Sequence, residues 1–70
     1  MHETLTLTLN GEARTLPARL TVAGLLASLG VETRKVAVER NLEIVPRSLY
    51  ADTRLAAGDQ LEIVHFIGGG

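Results

Sequence analysis

Seventy residues, 46% of them hydrophobic and none of them cysteine, allow one small domain held by a single core without disulfides or thiolate metal clusters. Seven Lys+Arg against eight Asp+Glu give a net charge of -1, and one Tyr, one Phe and no Trp leave little for base stacking. Nucleic acid and anionic membranes are therefore not expected partners. No apolar run approaches the roughly 20 residues of a membrane helix. The Met1-His2-Glu3 start lacks the basic and apolar regions of a secretion signal, so a cytoplasmic location is expected.

Thr4-Leu5-Thr6-Leu7-Thr8-Leu9 alternates strictly, which predicts a half-buried strand with Leu5, Leu7 and Leu9 facing the core. Asn10-Gly11 is the pair best suited to a tight hairpin turn, and Glu12 to Leu16 returns as an antiparallel strand that Pro17 ends. Thr21 reads as a helix N-cap. Val22, Leu25, Leu26 and Leu29 follow at helical spacing, and Gly30 stands where a helix end takes a left-handed residue, giving a helix of about nine residues. Val36 to Arg40 is a strand rich in β-branched residues. Asn41 starts a turn, Glu43 to Val45 is a short strand stopped by Pro46, and Ser48 to Ala51 suggests one helical turn. Ala57-Gly58-Asp59 leads into a last strand, Leu61 to Phe66.

The order β-β-α-β-β-β, with one helix to cover one sheet face, predicts an α+β fold of β-grasp type. Its mixed sheet should have four to five strands with the C-terminal strand at the centre. Residues 1–67 form the domain and 68–70 a flexible glycine tail. Leu61 and Ile63 should face the helix, leaving Val64 and Phe66 on the open face. Two large apolar side chains there are either a docking surface or ordinary exposed surface; periodicity leaves both readings open.

Side-chain chemistry is scarce. His2 and His65 belong to no metal-ligand spacing, and Ser28 and Ser48 stand in no nucleophile-elbow context. The eight carboxylates are scattered singly and read as solvated surface charge. No glycine-rich loop leads from a strand into a helix, and so short a chain does not readily enclose a pocket. An enzyme is not expected.

The group that stands free is the carboxylate of Gly70, behind Gly68 and Gly69. Glycines present no more than backbone cross-section and span roughly 3.3–3.6 Å each, so the three reach about 10 Å into a narrow channel. Ordering them costs roughly 1–2 kcal/mol per residue, which contacts from Val64 and Phe66 are placed to offset. Terminal glycines are also commonly plain disordered ends.

The stretches Val36-Ala-Val-Glu-Arg-Asn-Leu-Glu-Ile-Val-Pro-Arg47 and Ala57-Gly-Asp-Gln-Leu-Glu-Ile-Val-His-Phe-Ile-Gly-Gly-Gly70 together resemble the ThiS family, ubiquitin-like sulfur carriers of thiamine biosynthesis. The related MoaD family usually has a proline pair before its Gly-Gly end, where this chain has His65-Phe66. The resemblance implies that a ThiF-like adenylyltransferase uses ATP and magnesium to adenylate Gly70, the carrier itself binding no cofactor. Sulfur from a cysteine desulfurase then displaces AMP, and the resulting thiocarboxylate serves a ThiG-like thiazole synthase. Partner contacts are expected at Val64, His65, Phe66 and Ile67, with Arg40 and Glu62 as nearby charges. The same tail chemistry with another recipient, as in MoaD or a protein modifier, is the alternative.

Overall fold

The computed structural model describes residues 3–66, so His2, Ile67, Gly68, Gly69 and Gly70 lie outside the described residues. β1 (Thr4–Leu9) buries Leu7 and Leu9 and half-buries Leu5, following its alternation. Asn10 and Gly11 adopt φ of 49° and 82°, the left-handed pair that lets a two-residue turn match the twist of both strands. β2 (Glu12–Pro17) pairs antiparallel with β1, from Leu9 opposite Glu12 to Thr4 opposite Pro17. The strand includes Pro17 because β2 is the sheet edge, where a missing N–H breaks no ladder.

Helix α1 (Val22–Leu29) is capped at both ends. The Thr21 hydroxyl accepts from the Gly24 N–H at 3.0 Å, and the Val22 and Ala23 N–H groups donate to the carbonyls of Thr53 and Tyr50, each at 2.9 Å. Three donors that a helix start leaves orphaned are thus satisfied. Gly30 closes the helix at φ 72°, where any Cβ would be strained. Val22, Leu25 and Leu26 are fully buried, but Leu29 is exposed, contrary to its place in the spacing pattern. The helix stops at Leu29, and that last side chain falls beside Val31 at the rim of a surface groove instead of over the sheet.

Thr33–Lys35 forms a 3-10 turn that the sequence did not suggest, leading into β3 (Val36–Arg40). Asn41 and Leu42 make a second two-residue turn at φ 54° and 71° before β4 (Glu43–Ile44). The expected helical turn is a 3-10 turn at Arg47–Leu49, one residue early. β5 (Gln60–His65) completes a five-stranded mixed sheet of order β2-β1-β5-β3-β4, with β5 in the middle. It runs parallel to β1 and antiparallel to β3.

The core lies between this sheet and α1. Leu7, Leu25, Leu26 and Leu61 are its largest fully buried side chains, each contributing about 1.5–3 kcal/mol of apolar burial. Val45, Tyr50 and Leu55 join them from the segment after β4, which is stitched down by bonds such as Val45 N–H to Val38 carbonyl and Leu55 N–H to Leu20 carbonyl, both 2.9 Å.

Leu26→Ala is expected to lose about 2–5 kcal/mol in a denaturant titration, because a fully buried leucine leaves a cavity. Leu42→Gly should act oppositely. Leu42 is 86% exposed and holds a left-handed backbone, so glycine relieves strain at little loss of burial and should gain about 0.5–1 kcal/mol. Destabilisation by Leu42→Gly would show that the leucine side chain, rather than the turn, is what matters there.

Candidate functional site

β5 is held at both flanks by turn asparagines. Its parallel pairing with β1 spans only Thr8–Gln60 and Leu9–Leu61. Beyond that, the Asn10 side chain takes the place of a strand neighbour: its Oδ1 accepts from the Ile63 N–H at 2.8 Å and its Nδ2 donates to the Ile63 carbonyl at 3.3 Å. On the other side the Asn41 Oδ1 accepts from the Gln60 N–H at 2.9 Å, while the Asn41 N–H donates to the Gln60 carbonyl at 2.8 Å.

Asp59, just before β5, ties this end together and is 5% exposed. Its carboxylate accepts from Arg40 Nε at 2.8 Å, the Ala56 N–H at 2.8 Å and Asn41 Nδ2 at 3.1 Å. Burial alone would raise its pKa; the hydrogen bonds from Arg40, Ala56 and Asn41, with the Arg40 charge, outweigh it and hold the carboxyl below its ordinary value. The expectation that every carboxylate is solvated surface charge is therefore wrong for Asp59, because three donors converge on it. Arg40, expected among the partner-facing charges, is engaged in this pair on the helix side of the sheet.

The sheet face away from α1 is uncovered among the described residues. Register places Thr6 and Thr15, Thr8 and Ala13, Gln60, Glu62, Val64, Ala37, Glu39 and Ile44 on it. Val64 is 56% and Ile44 65% exposed; Phe66, 57% exposed, follows β5 and donates its N–H to the Lys35 carbonyl at 2.8 Å. Leu61 and Ile63 are buried on the helix side, as their spacing predicted. His65 parts company with Val64: it pairs with buried Val36 and lines an open groove of about 330 Å³ with Glu12, Arg14, Leu29 and Val31. Ile67 and the glycines, the other residues expected to meet partners or react, lie outside the described residues.

The Ser28 hydroxyl donates to the Leu25 carbonyl at 2.7 Å, within its own helix. Among the described residues no three His, Asp or Glu side chains gather as a metal site, and no helix is long and apolar enough to cross a membrane.

A helix-capped five-stranded sheet whose central last strand runs out toward Gly-Gly-Gly defines a ubiquitin-like β-grasp protein. The chain belongs to the ThiS family, whose model matches residues 7–70. It is 48% identical over 50 residues to the sulfur carrier protein ThiS of Bacillus subtilis, covering 71% of this chain and 76% of that one. The crystal structure of the thiamine biosynthesis protein ThiS from Geobacter metallireducens shares the fold with a TM-score of 0.81 at 36% identity, covering 94% of this chain and 100% of that one. A thiazole synthase of Paramagnetospirillum magneticum is 62% identical over 64 residues, which cover 91% of this chain but 20% of that protein. The chain spans about a fifth of the length of the thiazole synthases it matches.

Because the native pKa of Asp59 is depressed, its contribution to stability is present in full above the unfolded value of about 3.9 and is lost as pH falls through the lower native value. Asp59→Ala leaves Arg40, Asn41 and the Ala56 N–H without their acceptor and is expected to cost about 3 kcal/mol at neutral pH. Thermal unfolding across pH should show wild type and variant converging in acid; an undiminished gap there would mean that the carboxylate charge is not what holds the turn.

Proposed function

We propose that this chain is the sulfur carrier of thiazole formation in thiamine biosynthesis, a recyclable co-substrate rather than a catalyst, acting in the cytoplasm. The observation that carries the reading is the ThiS family match, which continues through the glycine end to residue 70. The described residues support it. The central strand β5 is the last element before the glycine end of the sequence.

The chemistry rests on the Gly70 carboxylate. A carboxylate resists nucleophiles because it is anionic and lacks a leaving group. A ThiF-like enzyme removes both obstacles by joining the carboxylate to the α-phosphate of ATP, using magnesium and releasing pyrophosphate. The terminal sulfur of a persulfide, formed by a cysteine desulfurase, then attacks the acyl carbon and AMP departs. A thiol breaks the S–S bond that remains, leaving a thiocarboxylate on Gly70 and a disulfide on the donor. The sequence contains no cysteine, which supports sulfur carried on the terminal carboxylate rather than on a side-chain thiol.

Thiazole synthase is the proposed recipient. The two synthases matched by this chain include a segment similar to nearly all of it, which supports a carrier and a synthase working in contact. There the thiocarboxylate sulfur bonds to a carbon of the acceptor, and an oxygen nucleophile then takes the acyl carbon as its bond to sulfur breaks, leaving the sulfur on the acceptor and returning the Gly70 carboxylate.

Incubation with the activating enzyme, ATP, magnesium and a persulfide donor should shift the intact mass by the difference between one sulfur and one oxygen. Deleting Gly70, or adding a residue after it, should abolish that shift without altering the melting temperature. Sulfur uptake by the extended form would contradict a terminal acceptor.

A further inference from the structure

β1 ends at Leu9, and its register with β5 ends at Leu61. Asn10 extends the contact by one further step. Its N–H donates to the Leu61 carbonyl at 2.8 Å, its Oδ1 accepts from the Ile63 N–H at 2.8 Å, and its Nδ2 donates to the Ile63 carbonyl at 3.3 Å. One turn residue thus stands in for the ladder step that β1 is too short to supply. Asparagine suits the place on two counts. It tolerates the left-handed φ of 49°, and its amide carries a donor and an acceptor together. Aspartate would have no donor for the Ile63 carbonyl, and glycine would have no side chain.

Beyond Ile63 the strand is supported from one side. Val64 and His65 pair with Ala37 and Val36 of β3, and the Phe66 N–H donates to the Lys35 carbonyl at 2.8 Å. On the helix side, Ile63 and His65 border the open groove of about 330 Å³ instead of closed core. Without the Asn10 amide, residues 62–66 would be held at their edges by β3 alone, and a two-stranded ribbon is marginal in water.

We propose that Asn10 is a positioning residue for the carrier reaction: its side chain keeps the end of β5 in the sheet and so limits the length of chain between the last strand bond and Gly70. This rests on the carrier reading above and applies to whichever enzyme takes up the terminal carboxylate. Four residues separate Phe66 from Gly70, at most about 14 Å of extended chain. If β5 is released back to Glu62, the separation becomes eight residues and about 29 Å. The local concentration of a tethered group falls roughly as the −3/2 power of tether length, so doubling the tether presents the carboxylate about threefold less often.

The test uses the full chain. Asn10→Gly removes the amide but keeps the left-handed turn and the backbone bond to Leu61. Asn41→Gly is its counterpart, the same exchange at another left-handed position (φ 54°), where the side chain bonds Gln60 at the opposite end of β5. Both variants should melt below wild type. In Asn10→Gly the Phe66 amide should exchange hydrogen about tenfold faster, although that N–H bonds Lys35 and not Asn10; in Asn41→Gly it should exchange at the wild-type rate. In the sulfur-uptake assay, well below either melting temperature, kcat should fall about threefold for Asn10→Gly with KM for the carrier nearly unchanged. Asn41→Gly should match wild type in both.

The split between kcat and KM separates positioning from plain destabilisation. A variant that is only less folded offers less carrier, which raises KM and leaves kcat alone. That result for Asn10→Gly would overturn the inference. So would an unchanged kcat, an unchanged exchange rate at Phe66, or an equal fall in kcat for Asn41→Gly. Each of these leaves the carrier reading standing. Failure of the wild type to take up sulfur would overturn the carrier reading and the role of Asn10 with it.

Discussion

The pairing of β5, the last strand of the described residues, is the constraint on which the rest of the domain depends. β5 has only two residue pairs with β1 but five with β3, so its β1 side would be short of partners without Asn10. That asparagine bonds both the N–H and the carbonyl of Ile63. At the opposite end, Asn41 and Asp59 fasten the first residues of the strand to the β3–β4 turn. A one-residue slip of β5 would exchange Leu61 and Ile63 for Glu62 and Val64 in the core, so these polar clamps and the apolar pattern specify the same register.

Asp59 shows how a buried charge can be tolerated in so small a core. Its carboxylate has three donors, and no buried side-chain polar atom among the described residues lacks a partner. Left unpaired, that charge would be a liability comparable to several core methyl groups; satisfied, it locks a turn containing the left-handed pair Asn41 and Leu42. Strain at Leu42 is thus held by hydrogen bonds from its neighbour rather than by its own side chain, which is solvent-exposed.

Much of this frame was legible in the residues. The threonine–leucine alternation, Asn10-Gly11, Thr21 and Gly30 each carry a local signal with one structural meaning, and each element formed accordingly. Leu29 misled because spacing reports angle around a helix but not where the helix runs out of sheet. Val45, Tyr50 and Leu55 are buried through long-range packing that no periodicity marks. The Asp59 network was hidden for the same reason: Arg40 and Asn41 lie 19 and 18 residues upstream, and Gly-Asp alone reads as an ordinary turn. The opposed glutamates were equally invisible, since only register puts Glu39 across from Glu62. Val64 and His65, adjacent in sequence, belong to opposite faces, so proximity to the tail is a poor guide to a shared surface.

The family match and the fold agree on the ThiS family; the role proposed above makes the domain a handle and the terminal carboxylate its reactive group. That assignment requires the chain to end at Gly70 in the cell and its terminus to carry sulfur for part of each cycle. The mass of the C-terminal peptide isolated from the native organism, grown without thiamine, reads both at once. The account predicts a peptide ending at Gly70, with a fraction bearing sulfur in place of one terminal oxygen. A peptide that continues beyond Gly70, or one that ends there and never carries sulfur while thiazole is being made, would contradict it.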